Sequence, residues 1–495
     1  MMLRYFFLFV VFCSFRGFSF NPPDSIKEKL DDFIMKVREE LKLNTGLSIS
    51  VVKDGRVFFS KAYGYANMEE EKEATVNTPF YIASSTKSFL GTLAKILSDE
   101  GVINLDSPIN KYLPDLELPA PVNPEVITIR DLLTHRSGIE SFPVVLRTAF
   151  TGQHTDEKLL ELYNSSRFTT REFRYTNTDY VLVGLIIKKV TGKNWKELMK
   201  EKIIIPLEMN NTSTFVSSYK QGSLPLNYAS TDGKADNYNY SKTDETMHAA
   251  GGIYSSAEDL SHWLLFNLGD GSYNGKQILS EYSLDEIHSA QINYSQTFFI
   301  YNRFAYGLGW IRSDYYGRLL IHHFGSYEGS RSHISFMPDE HTGVAALIND
   351  DGDAFYTVDL FADYAYNLLS GDVNADSIAN AELNIILDKL KKKREKEKTD
   401  NEEEKPHLVV NNNLYTGKYS SSDYGEIVLS EKEGDLFLDF GNLKGVIYPD
   451  STNIFEGVIG AFETKIEFKS ADADNRITEL TIYGPVKMVF TKQEE

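Results

Sequence analysis

The sequence predicts an α+β domain over residues 24–387, followed by a small all-β domain over residues 412–492. Three observations predict it. Helix-period and strand-period apolar patterns alternate up to residue 370. A charged run then interrupts them, a basic block followed by an acidic one at 388–405, closed by Pro406. Beyond it, β-rich segments are separated by Gly- and Asp-containing turns. The chain has 495 residues, enough for two or three domains.

The first 19 residues read as a signal peptide. Arg4 supplies the positive n-region, Tyr5 to Cys13 a short apolar core, and Gly17 and Ser19 small residues spaced for cleavage. The apolar run is shorter than the roughly 20 residues a membrane span needs. The expectation is therefore a periplasmic or secreted protein with no stable span after cleavage. Cys13 is the only cysteine. Lipoprotein processing there is disfavoured by the bulky Val10-Val11-Phe12 before it.

Residues 24–42 form a helix with Leu30, Phe33, Ile34 and Val37 as its apolar stripe. A hairpin spans 45–64 around Asp54-Gly55, a two-residue turn signal. A further helix opens at Ser84, and Thr128 caps a short one ending near Leu133. Residues 179–190 are a very apolar helix ended by Gly192. The Ser-, Tyr-, Asn- and Asp-rich stretch 216–246 reads as a long loop, and such loops in compact domains are often functional. A helix follows at 257–268, then strands near Leu319 to His323 and over Arg331 to Ile348, with a turn near Asp339. Residues 388–411 read as a charged linker or exposed helix. In 412–492, runs such as Gly425 to Leu429, Leu436 to Phe440, Thr464 to Phe468 and Ile477 to Tyr483 predict a small barrel or sandwich.

The net charge of −20 argues against a nucleic-acid partner or an anionic membrane surface. The ten histidines include no His-Glu-x-x-His pair, and no cysteine ligands exist. No metal or organic cofactor is implied.

The chemistry points to Ser84-Ser-Thr-Lys87. Residues at i and i+3 share a helix face, so the Ser84 hydroxyl and Lys87 amine can lie side by side. Serine needs a neighbouring base to be a nucleophile, and burial can lower a lysine pKa far enough to provide one. Ser-x-x-Lys also occurs at Ser50 and Ser217. Only Ser84 opens a helix, where free N–H groups can receive an oxyanion. The competing reading of Ser84 is a simple N-cap.

Three further motifs accompany it: Leu132-Leu-Thr-His135-Arg-Ser137-Gly138, Tyr175-Thr-Asn177 before the apolar helix, and His323-Phe-Gly325-Ser326 at a strand end. Ala250-Gly-Gly-Ile-Tyr-Ser-Ser-Ala-Glu-Asp259-Leu and Tyr306-Gly-Leu-Gly309-Trp310 add to them. Together they resemble the serine β-lactamase and penicillin-binding-protein superfamily, in particular the branch of class C β-lactamases, D-stereospecific peptidases and related esterases. The resemblance covers residues 24–370 in the family's order. It implies a mostly antiparallel sheet flanked by helices plus a helical region, and residues 412–492 look like the small β-domain that often follows such hydrolases. It also implies site roles. Ser84 forms an acyl-enzyme, Lys87 and Tyr175 share the proton transfers, and Asn177 orients substrate and lysine. Backbone N–H groups of Ser84 and Ser326 form the oxyanion hole, with Gly325 permitting close strand approach.

One motif departs from the β-lactamase pattern. Lys-Thr-Gly is replaced by His323-Phe324-Gly325, which has less positive charge and no hydroxyl to bind a substrate carboxylate. There is no Ser-Asp-Asn motif either. The expectation is an exported serine hydrolase acting on a small-molecule or peptide substrate, cell-wall peptides included. Esterase ranks first, then D-amino-acid peptidase, then β-lactamase. The alternative is a catalytically silent cell-wall-peptide binder or sensor of the same fold. His323 is equally well read as structural, and His135 as a brace at its turn.

Overall fold

The computed structural model describes residues 24–400, 410–460, 462–471 and 476–494. The expected signal peptide, residues 1–19, lies outside the described residues. No helix among the described residues is long and apolar enough to cross a membrane.

The main elements of the first body are α1 (Asp24–Glu40), β1 (Leu47–Lys53), β2 (Arg56–Tyr63), α2 (Thr86–Asp99), α3 (Ile129–Leu133), α4 (Phe142–Leu146), α5 (Asn177–Thr191) and α6 (Ala257–Leu268). They continue with β3 (Ile292–Phe298), β4 (Tyr301–Tyr306), β5 (Ile311–Tyr315), β6 (Arg318–Tyr327), β7 (Ser330–Met337), β8 (Thr342–Ile348), α7 (Thr357–Leu369) and α8 (Ala375–Asp400). The eight strands form one antiparallel sheet in the order β3-β4-β5-β6-β7-β8-β1-β2. Strands β7 and β8 are buried along their whole length. For β8 this explains a nearly unbroken apolar run rather than alternation.

Side chains of opposite parity on the sheet feed two cores. Ile321, Ile334, Phe336, Ala345 and Leu347 join Trp263 of α6 and the helical region. Leu320, Phe324, Ala346 and Ile348 join α1, α7 and α8. The stripe read in α1 (Leu30, Phe33, Ile34, Val37) is buried in the second core.

One reading narrows and one changes. Of the two alternatives read for 388–411, linker or exposed helix, the first part is helix: α8 continues to Asp400. Its earlier turns pack through Ala379, Leu383 and Ile386, and the Lys- and Glu-rich sequence that follows has high helix propensity. Stretch 216–246 is not one long loop. It contains a hairpin, Tyr228–Thr231 with Lys234–Asn237, turning at Asp232-Gly233. That dipeptide is a strong turn signal in its own right.

The C-terminal body is a closed eight-stranded barrel, from the Gly417–Ser421 strand to the Lys487–Lys492 strand, which pair with each other. Tyr419, Phe455, Ile466, Leu480 and Phe490 fill its interior. The barrel docks beside the end of β6. Arg147 donates to the carbonyls of Asp423 (2.7 Å) and Ser422 (2.9 Å), and Asn442 N–H donates to Thr151 O at 2.9 Å. Phe150 lies between Tyr327 and the barrel's Phe462, with ring centroids 5.2 and 5.1 Å away.

At this junction Glu328 is 9 % exposed, and neither carboxylate oxygen has a hydrogen-bond partner among the described residues. Burial pushes its pKa up, Lys242 opposes this, and Asp351 adds to it. Tyr81, Tyr238, Tyr240 and Tyr327 also feel its charge. A carboxyl that holds its proton more tightly folded than unfolded makes stability fall as pH rises between the two pKa values. Glu328→Gln is therefore expected to raise Tm more at pH 8 than at pH 5, by an increment worth about 1–2 kcal/mol. Melting curves at the two pH values check this; equal gains would refute it.

Candidate active site

Ser84 sits in a tight 3-10 turn, Ala83–Ser85, that runs into α2. Ala83, buried, has φ of 45°, a left-handed conformation costing a non-glycine residue roughly 1 kcal/mol. The surroundings hold this turn. Ser85 Oγ donates to His323 O (2.9 Å), Ser332 Oγ donates to Ile82 O (2.8 Å), and the two hydroxyls are 2.9 Å apart. The Ser84 turn is thereby latched to β6 and β7. Gly325 on β6 permits the approach: a Cβ there would lie 2.0 Å from Ile82 O.

Lys87, the second residue of α2, is fully buried. Its Nζ lies 3.1 Å from Ser84 Oγ, 2.7 Å from Asn177 Oδ1 and 2.9 Å from Ala250 O. Burial alone drives its pKa well below the ordinary lysine value. Two of its three partners, the Asn177 and Ala250 oxygens, can only accept. In the neutral amine they take both N–H groups, and the lone pair is left facing Ser84 Oγ, the one partner that can donate. The Tyr306–Trp310 segment backs the lysine. Gly309, at φ +85°, allows it to run so close that a Cβ would be 2.2 Å from Lys87 O.

Tyr175 approaches from the segment before α5. Its ring centroid is 4.7 Å from Lys87 Nζ, and its phenol bonds Ser84. The residue is 43 % exposed, so its outer edge meets solvent while the hydroxyl end is desolvated. That desolvation raises the phenol pKa, and the Ser84 bond opposes the rise. Thr176 caps α5, accepting from Thr178 N–H, which sets Asn177 at the helix start facing Lys87. Ser137 Oγ donates to the buried Asp179 carboxyl at 2.6 Å, tying the 132–138 turn to this helix.

The structure thus brings Ser84 and Lys87 together with Tyr175 and Asn177 from two separate segments. Gly325 lies against the nucleophile turn, and Ser326, the next residue, is exposed at the end of β6. His323 is placed differently from a carboxylate-binding residue. It is 2 % exposed, its Nδ1 bonds Phe324 O at 2.9 Å, and its Nε2 bonds Tyr306 Oη at 3.2 Å. Burial, and then the Lys87 charge, hold its pKa well below the usual histidine value. Ring and charge are both turned inward. Sequence reasoning missed the Ala250 carbonyl, Ser85, Ser332 and the hydroxyl of Tyr306. No local pattern marks a backbone carbonyl or a latch serine.

Comparisons with known proteins show what the chain is similar to. "Protein flp" of Staphylococcus aureus (strain NCTC 8325 / PS 47) is 28% identical over 323 residues, 61% of this chain and 59% of that protein. "Unguisins hydrolase ungD" of Aspergillus violaceofuscus (strain CBS 115571) is 27% identical over 359 residues, 66% of this chain and 63% of that protein. The chain therefore spans about three fifths of the length of these curated relatives. Among solved structures, the octameric penicillin-binding protein homologue from Pyrococcus abyssi superposes with a TM-score of 0.61 at 25% identity, over 94% of this chain and 100% of that one. The D-amino acid amidase from Ochrobactrum anthropi SV3 shares the fold, with a TM-score of 0.57 at 23% identity over 69% of this chain and 99% of that one. The Beta-lactamase family model matches residues 37–366, a span that carries Ser84, Lys87, Tyr175, Asn177 and His323, and the chain belongs to that family.

Proposed function

We propose that the chain is an exported serine hydrolase that forms an acyl-enzyme on Ser84 and hydrolyses an ester or amide. The observation that carries this reading is the placement of Lys87: a buried amine 3.1 Å from Ser84 Oγ whose other two partners are acceptors only. Burial holds the pKa of such an amine well below the ordinary lysine value, and its lone pair is aimed at one hydroxyl.

In acylation the Ser84 proton moves to the Lys87–Tyr175 pair as Oγ attacks the substrate carbonyl carbon. The N–H groups of Ser84 and Ser326 hold the negative charge that develops on the carbonyl oxygen. The phenol of Tyr175, over the cleft side of Ser84, returns the proton to the leaving alcohol or amine. Water then attacks the acyl-enzyme, giving its proton to the same pair, and Ser84 Oγ leaves with a proton restored. Asn177 keeps the lysine in register throughout.

The inward engagement of His323 supports substrates without an essential carboxylate beside β6, and so esters and amides of D-amino acids ahead of β-lactams. The hydrolase named among the curated relatives supports hydrolysis over silent binding. Export rests on the pattern of residues 1–19.

Intact-mass spectrometry after a fluorophosphonate probe tests the reading. One adduct is expected on the wild type and none on folded Ser84→Ala. An adduct that persists in Ser84→Ala would move the nucleophile to another serine. A folded wild type that takes up no probe would favour the cell-wall-peptide binder.

A further inference from the structure

We propose that Tyr306 is a positioning residue, whose hydroxyl holds the Tyr175 segment and the nucleophile turn in register through two histidines. This rests on the hydrolase reading above. Tyr306 ends β4, is fully buried, and lies 3.2 Å from both His135 Nε2 and His323 Nε2.

Each histidine leads to a different part of the site. Thr176 N–H donates to His135 Nδ1 at 3.3 Å, and His135 O accepts from Arg174 N–H at 2.8 Å. The His135 ring packs against Tyr175 with centroids 4.5 Å apart. His135 therefore grips the segment 174–176 through its backbone, its ring nitrogen and its ring face. On the other side, the backbone carbonyl of His323 receives Ser85 Oγ, next to the nucleophile.

One proton order satisfies the whole chain. His135 Nδ1 accepts from an amide, so its Nε2 carries the hydrogen and donates to Tyr306 Oη. His323 Nδ1 donates to Phe324 O, so its Nε2 accepts from Tyr306. All three groups both accept and donate, the histidines through separate ring nitrogens and Tyr306 through its single hydroxyl. Tyr180 lies further from it, at 3.5 Å, and gives its own proton to Leu133 O. Burial raises the Tyr306 phenol pKa well above its ordinary value and lowers both imidazoles, so the relay stays neutral and its direction constant across the working pH range. A neutral relay also adds no positive charge near Lys87.

The test is Tyr306→Phe, which keeps the ring and deletes the bridge. We expect kcat on a p-nitrophenyl ester, and the fluorophosphonate labelling rate, to fall roughly 10- to 100-fold, as small misplacements of reacting groups do, with KM changed by less than about twofold. On the wild type, nitrogen-15 NMR of the imidazoles at pH 7 should show His135 as the Nε2–H tautomer and His323 as the Nδ1–H tautomer; in Tyr306→Phe this assignment should break down. Unchanged kcat and labelling, or a loss carried by KM alone, would overturn the inference. So would wild-type histidines that are both charged or share one tautomer. If the wild type itself takes up no probe, the hydrolase reading fails, and the tautomers still decide the bridge.

Discussion

Lys87→Met is expected to fold and to lose about 10³-fold in ester turnover, the range a positioned base contributes. The methionine fills the buried volume but offers no lone pair to Ser84 Oγ. In the wild type, kcat/KM should rise with pH through the Lys87 pKa, because the protonated amine has no lone pair. Burial sets that rise well below the ordinary lysine value. No fall should follow until the Tyr175 phenol ionises, which desolvation pushes above its own ordinary value. The same shift acts on stability. Unfolded Lys87 binds its proton more tightly than folded Lys87, so the folded state loses stability as pH falls from the unfolded pKa towards the folded one. Stopped-flow turnover from pH 5 to 10 checks the first part. A methionine variant that keeps a tenth of the wild-type rate, or a flat wild-type profile, would remove Lys87 from the chemistry.

The second large effect is expected at Gly325. In Gly325→Ala the new Cβ would meet Ile82 O at 2.0 Å and Ser332 Oγ at 2.4 Å. The first of these is backbone and already accepts from Ser332 Oγ and Ser85 N–H, so relief means moving β6 away from the nucleophile turn. We expect a loss of about 3 kcal/mol or more of stability, at the upper end for overpacking. At temperatures where the variant remains folded, acylation should be at least about 10-fold slower. Gly484→Ala is the control, since its Cβ would meet only Val486 O at 3.9 Å. Chemical denaturation with probe labelling on both variants decides it. Equal stability of the two would mean that β6 tolerates the displacement and that the glycine serves no close approach.

The site was partly legible before the fold. Ser84 lies in the 3-10 turn that runs into the helix of Lys87, and the three-residue spacing still brings the two side chains together. Tyr175 and Asn177 stood out as a motif before an apolar helix, but nothing in sequence spacing places them over Lys87, because 90 residues separate Asn177 from Lys87. His323 shows the limit most plainly. Its motif position suggested a substrate contact, whereas its two ring nitrogens are spent on Phe324 O and Tyr306 Oη. Which way a histidine faces depends on what hydrogen-bond partners the neighbouring strand provides. The 216–246 stretch reads as a loop because its weak periodicity outweighs its Asp232-Gly233 turn signal, whereas 388–411 leaves linker and exposed helix open, and only the packing of the preceding turns decides for helix at its start.

By itself the sequence determined the α+β body, the β-rich C-terminal unit, the helix bearing Ser84 and Lys87, and the turns that divide them. These follow from period, propensity and turn chemistry, which act over a few residues. Only the tertiary structure decided the closure of the barrel and its docking beside β6, the desolvation of Lys87 between Asn177 and Ala250, the latch of Ser85 to β6, and the bridge at Tyr306. Each depends on bringing together groups far apart in the chain, and on the loss of water around them. Burial and long-range partners, rather than local pattern, set the protonation states on which the chemistry depends.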